Sequence, residues 1–352
     1  MPRRNGPLLA ILLLVGVCSA PAAAQTVATV TAPGQQQVFL VPLDDQALFI
    51  SEAVNTARTF KADIGFDYLQ PWFSTRSTSL KVPTPKGGSV LGGTDNVAND
   101  FAFIPSLNLA YQFDDLGFGI AASGKLMNLT GKLIRNVQSD DGNGNLIVNS
   151  SLDIAVANLV EAVVPFDLTG MRCLGDSFLG DFAFVATIGA RYVHVRQHYD
   201  AALTVGDAAA TNSGTLVANQ LYNGFGLTSS LTALYPLSER VALYSNTRAS
   251  ILVGNDQRDS TIKVVKSNTT VVENRTLFMP TGEIEIGVAY GMPLPHKGPP
   301  QSVAPLLWFK TGLVGQAWGD IGLLHVNDQM GSQFKDSHLF LYGFSVQVGL
   351  DY

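Results

Sequence analysis

Hydrophobic and polar positions alternate along most of the chain with a period of two. From Phe60 onward Phe60, Ala62, Ile64, Phe66 and Tyr68 are apolar, while Lys61, Asp63, Gly65 and Asp67 between them are polar or small. Successive side chains of a strand point to opposite faces, whereas a helix repeats every 3.6 residues, so this segment predicts a strand with one greasy and one polar face. The pattern returns at Phe103–Phe113 and Leu116–Lys125, joined by a tight Asp114-Asp115 turn. It then recurs at Leu152–Val164, Phe182–Arg196, Leu221–Tyr235, Val241–Val253, Phe278–Tyr290, Pro305–Ala317 and Leu339–Tyr352. The total is about ten strands, within a range of roughly eight to twelve. Leu152–Val164 is rich in Ala and Val and also suits a buried helix.

The connections alternate as well. Long polar stretches follow every other strand, near Ser74–Asp100, Met127–Asn149, Gln197–Asn219, Asn255–Leu277 and Trp318–Asp336. The intervening connections are generally shorter: Asp114-Asp115, Phe166–Gly180, Pro236–Arg240 and Pro293–Pro300. Short turns at one end, long loops at the other and an even strand count predict an all-β, antiparallel, up-and-down transmembrane barrel. Both termini then fall on the periplasmic side. A soluble sandwich also alternates, but aromatics gather at strand ends (Tyr68, Trp72, Tyr111, Phe113, Tyr235, Tyr290, Phe340, Tyr342), where membrane girdles belong.

The chain start supports export. Arg3 and Arg4, the apolar run Leu8–Val17 and the small residues Ala20–Ala24 read as a secretory signal cleaved after Ala24. Val17 before Cys18 argues against a lipid-attachment signal. Residues 25–58 stand outside the alternation and are expected to be a periplasmic linker or a luminal plug, leaving 59–352 as the barrel. At the other end Phe344, Val346, Val348, Leu350 and Tyr352 alternate up to a terminal aromatic, a candidate signal for the barrel-assembly machinery.

Composition narrows the classes. Hydrophobic residues make up 46% and charged ones 14%, and no apolar stretch beyond the signal is long and uncharged enough for a spanning helix. The chain carries 22 basic and 28 acidic residues, which disfavours a nucleic-acid partner. Cys173 is the single cysteine left after cleavage, so no internal disulfide forms.

At this point the residues resemble the Legionella-type major outer-membrane protein family. The resemblance rests on Gly189-Ala190-Arg191-Tyr192, Arg248-Ala249-Ser250-Ile251-Leu252, Glu283-Ile284-Glu285-Ile286-Gly287-Val288 and Leu341-Tyr342-Gly343-Phe344. It implies an outer-membrane barrel and a pore, and it supplies no catalytic residue.

Chemistry beyond a pore is weakly encoded. His194, His198 and Asp200 suggest a metal site, but four residues of strand span about 13 Å, too far for one ion. Ser139–Gly144 resembles a calcium loop, yet Ser139 and Ser150 would occupy positions that need carboxylates. His325 with Asp328, and Asp336 with His338, are the pairs open to a barrel hydrolase, with no serine or second acid at matching spacing. We therefore expect no enzyme, cofactor or metal. The expected activity is passive diffusion of small solutes or ions, with a closed structural or adhesive barrel as the alternative. Near ten strands a lumen is narrow. Lys61, Asp63, Asp67, Lys125, Arg191, Arg248, Glu283, Glu285 and Lys310 are the candidate lining residues. The small residues Gly117, Gly119, Gly224, Gly226, Ser230 and Gly312 are expected to widen the lumen.

Overall fold

The structure is a computed structural model. It describes residues 60–73, 79–83, 89–93, 101–113, 119–139, 142–167, 183–207, 210–238, 240–265, 267–295, 304–321 and 338–352. The signal, residues 25–58, the Asp114-Asp115 turn, Gly117, Cys173, His325, Asp328 and Asp336 lie outside them.

Ten antiparallel strands close into a barrel: β1 (Phe60–Phe73), β4 (Ala102–Gln112), β5 (Gly119–Ser139), β6 (Gly142–Asp167), β7 (Ala183–Asp207), β8 (Ala210–Pro236), β9 (Val241–Val264), β10 (Ser267–Pro293), β11 (Leu306–Trp318) and β12 (Leu339–Asp351). Each pairs with its sequence neighbour in the barrel, and β1 closes the ring against β12. Phe60 and Tyr352 seal that seam at its near end, exchanging backbone hydrogen bonds of 2.9 and 2.8 Å. The remaining two, β2 (Ser79–Pro83) and β3 (Ser89–Gly93), form a separate hairpin. Leu152–Val164 is strand throughout, with Leu152, Ile154 and Val156 buried on its inner face.

The expected loops Met127–Asn149, Gln197–Asn219 and Asn255–Leu277 are corrected by the structure. They are continuations of β5 to β10, whose ladders run on until Ser139 pairs Gly142, Asp207 pairs Ala210 and Val264 pairs Ser267. The reason is a second apolar interior. Leu146, Val148, Tyr199, Ala201, Leu203, Leu216 and Ala218 still alternate within these polar-looking segments and bury one face together. β4 and β11 stop well short, so β5–β10 rise as a wall of six strands beyond the ring. The β2–β3 hairpin lies against that wall, β2 on β7 and β8, β3 on β5 and β6. Val82 is fully buried in the same apolar cluster. Gly214 makes the seat: a Cβ there would stand 2.5 Å from Val82 Cγ2.

Two bulges, between Ala121 and Ser123 and between Leu159 and Ala162, shift register in β5 and β6. Both shifts come from one extra residue in β6, which reverses the parity facing inward on β6 while odd positions of β5 stay inward.

Candidate functional site: the barrel interior

Register fixes which side chains share the inner face. Following the pairs around the ring, Lys61, Asp63 and Asp67 (β1), Lys125 (β5), Arg191 (β7), Arg248 (β9), Glu283 and Glu285 (β10) and Lys310 (β11) all fall on it. The alternate residues face outward. On β9 the outward positions from Leu243 to Val253 form an uncharged band, apolar but for Ser245 and Thr247. At about 3.4 Å per residue and a tilt of about 40°, the band is on the order of 26 Å tall, the thickness of a membrane's apolar layer.

This belt is framed by aromatics. Tyr68, Trp72 and Tyr342 stand exposed at its far end and Tyr111, Tyr290 and Tyr352 at its near end. The rings of Tyr68 and Phe101 stack at 4.7 Å. Above the far rim the outward positions turn polar along paired rows: His194 beside Asn223, Asn223 beside Asn255, Asn255 beside Thr276. One residue row therefore marks where lipid contact ends.

The inward charges are joined across open space. Lys125 Nζ lies 3.0 Å from Asp67 Oδ2 and 3.9 Å from Glu283 Oε2. Glu283 also accepts from Arg191, whose guanidinium packs over the Trp318 ring and donates to Ser250 at 3.0 Å. Arg248 pairs with Glu161 three strands away. Glu285 accepts from the Tyr244 hydroxyl at 2.6 Å and from Ser345. Asp63 accepts from Asn108, and Lys61 lies 3.7 Å from Asp351. Lys310 sits over the rings of Trp308 and Tyr244.

Beyond this charged layer the interior becomes apolar. Leu69, Ile104, Leu129, Ile154, Val193, Tyr222, Leu252, Met279, Trp318 and Leu341 belong to one buried cluster to which every barrel strand contributes. It forms a septum across the lumen. Farther out, Asp256 is held by Arg258 at 2.7 Å, Arg275 at 3.1 Å and Gln220 at 2.8 Å.

The expected widening by small residues is corrected. Gly119, Gly224, Gly226, Ser230 and Gly312 do face inward, but at Gly224 and Gly312 neighbouring side chains occupy the space, and at Gly226 the backbone of β9 does. A Cβ at Gly312 would stand 2.8 Å from the Tyr244 hydroxyl, and Gly224 lies beneath the Tyr222 ring.

Sequence reasoning missed Glu161, Tyr244, Trp308, Trp318 and Ser345. Glu161 follows the β6 bulge, so simple parity points it outward. Trp308 and Trp318 sit at even positions of β11 with Lys310, and that shared parity was the available signal. Of the histidines considered for a metal, His194 Nδ1 bonds Asn223 Oδ1 at 2.7 Å and His198 Nδ1 bonds Asn219 Oδ1 at 2.6 Å. No metal-binding group of three ligands occurs among the described residues. His338 Nδ1 is 4.0 Å from Asp320.

A closed ring of antiparallel strands, apolar outside and charged inside, defines a transmembrane β-barrel of the outer-membrane type. The profile of a family described as Legionella pneumophila major outer membrane protein precursor matches residues 184–298, about a third of the chain. That stretch holds three of the four segments on which the resemblance was drawn. No protein of curated function matches. Among solved structures, the outer membrane protease OmpT of Escherichia coli is 13% identical, covering 84% of this chain and 97% of its own, with a TM-score of 0.40. A Pseudomonas aeruginosa FadL homologue is 10% identical, with coverage of 85% and 92% and a TM-score of 0.26. The monoaromatic hydrocarbon channel CymD is 11% identical, with coverage of 88% and 93% and a TM-score of 0.22.

Proposed function

We propose that the protein is exported to the outer membrane, inserted there by the barrel-assembly machinery, and acts as a porin-like narrow pore for small solutes or ions whose lumen rests shut. The observation that carries this is the charged layer beneath the septum. Its side chains face the lumen yet keep contact with water, Lys61 at 40% and Lys125 at 26% exposure, which describes a wet vestibule. An inert barrel gains little from such charges, since apolar packing of the kind used one level higher is as stable or more so. Passage requires the Lys125–Glu283 bridge and the septum to part.

The second reading, a structural or adhesive barrel with a permanently closed lumen, is favoured by the septum itself. Planar-bilayer recording of purified protein separates the two. The pore reading expects small, intermittent conductance that grows when Leu252 and Leu341 are both replaced by Ala. A correctly folded barrel that stays silent in both forms establishes the closed reading. Membrane placement has its own test: heat-modifiable migration after detergent extraction is expected, and soluble release without detergent overturns it. Deleting Tyr352 is expected to reduce insertion far more than changing Asn143.

We take the barrel to be non-catalytic, because its inward carboxylates are engaged by Arg, Lys, Tyr, Ser and Asn partners. Release of labelled peptide or fatty acid by purified protein would reverse that reading.

A further inference from the structure

The β2–β3 hairpin belongs to one side of the ring in sequence and is seated on the other. It falls between β1 and β4, while the notch that receives Val82 is Gly214 on β8, five strands from β1 in either direction around the barrel. Gly214 shares its parity with Gly224, Gly226 and Ser230, and no register shift interrupts β8 between them, so the notch opens on the inner face. The hairpin therefore occupies the concave side of the wall, over the outer mouth of the lumen. Its strands divide that face, β2 against β7 and β8 and β3 against β5 and β6.

The hairpin is held differently from the barrel strands. Among the described residues β2 and β3 pair only with each other and form a sheet of their own. Side-chain packing fastens that sheet, with Val82 buried in one cluster with Leu203, Val205 and Leu216, against which Val264 also packs. Undocking breaks no backbone bond of the ring, which makes the hairpin a separate unit of low stability. Below the seat, toward the septum, Gln197, Gln220, Asp256 and Arg258 form a polar layer buried between two apolar clusters. An ion pair such as Asp256 with Arg258 is costly to keep dry, so hydration favours a displaced hairpin that admits water to it. Apolar contact at Val82 and hydration of this layer oppose each other, as a part with two positions requires.

We propose that the hairpin is an outer lid: docked, it shuts the lumen from the external side, and undocked, it opens the chamber above the septum. The inference rests on the outer-membrane orientation proposed above. It is independent of whether the septum conducts.

Ala218 is fully buried in the cluster that Val82 enters, so Ala218→Cys in a Cys173→Ser background serves as reporter. Intact cells are treated with a membrane-impermeant maleimide and labelling is followed over time. It is expected to be slow with the native hairpin and about tenfold faster with Val82→Asp, the effect of losing one buried valine contact. Replacing residues 79–93 by a Gly-Ser linker of equal length is expected to speed it at least as much. Lys263→Cys, on the exposed outward face of β9, is expected to label quickly whatever the hairpin. Heat-modifiable migration of each variant confirms folding. Equal labelling of the Ala218→Cys reporter with and without the hairpin overturns the lid. Failure of the orientation shows up separately, as Lys263→Cys left unlabelled on intact cells, and failure of the pore reading as absent conductance in the barrel with Leu252→Ala and Leu341→Ala.

Discussion

Lys125 Nζ and Glu283 Oε2 lie 3.9 Å apart although β5 and β10 are five strands from each other in either direction around the ring. The contact spans the barrel's diameter, and Asp67 and Arg191 extend it on either side. Lys125→Met strands the buried carboxylate of Asp67 and removes one partner of Glu283. The expected loss is about 2–3 kcal/mol in urea unfolding, at the low end for a broken buried pair because Lys125 is partly wet. Adding Asp67→Asn is expected to recover part of it, and a double-mutant cycle measures the coupling.

The septum and the ionic bridge act in series. Lys125→Met alone is therefore expected to leave conductance unchanged, since the apolar layer still seals the lumen. In the background of Leu252→Ala with Leu341→Ala, the same substitution is expected to alter cation-to-anion preference, read from the reversal potential in a salt gradient. A large conductance rise from Lys125→Met by itself would place the barrier in the charged layer.

The outward belt makes its own prediction. Ile286 is exposed within the apolar band and Asn255 stands in the row just above it. Ile286→Lys is expected to cost about 2–4 kcal/mol for the barrel folded in phospholipid vesicles, and Asn255→Lys about 1 kcal/mol or less. Equal costs would move the membrane boundary.

Hairpin docking rests on one knob and one notch. Gly214→Leu fills the seat of Val82, so β2–β3 is expected to leave the wall and Lys81 to become a rapid trypsin site, while β5–β10 stay resistant. Unchanged cleavage at Lys81 would show the hairpin to be held elsewhere.

At the tip between β9 and β10, Val265 adopts a φ of 39°, a conformation that a β-branched side chain resists. Val265→Gly is expected to stabilise the folded barrel by about 1 kcal/mol, read as a raised urea midpoint at constant slope.

The alternation made the ten strands legible, because each has a lipid-facing row opposed to a polar one. Parity also placed Lys61, Asp67, Arg191 and Glu283 on a common face. The septum was hidden by the same physics: at its level both faces are apolar, as in Ile251-Leu252-Val253 and Phe278-Met279, so the period-two contrast vanishes where the lumen is sealed. The wall was hidden for a different reason. Above the membrane its outward residues return to polar types, and Gln197–Asn219 reads as loop by composition although Tyr199, Ala201 and Leu203 still alternate. Glu161 required knowledge of a bulge that no residue type announces.

The wall's two borders carry a last consequence. Beyond the ends of β4 and β11, one margin of β5 and one of β10 pair with no barrel strand among the described residues, and unpaired margins of this kind invite foreign strands to add on. This chain blunts both. Lys132 and Arg135 punctuate β5, and Glu273 and Arg275 punctuate β10. Pro280 falls one residue past the last β11 pairing, and its carbonyl accepts from Gly319 at 2.8 Å. Carbonyl and amide of one strand residue point the same way, so the missing N–H lies on the margin and weakens no internal bond. Whatever meets the protein from outside is thereby steered to its side chains and tips, and away from zipping onto its backbone.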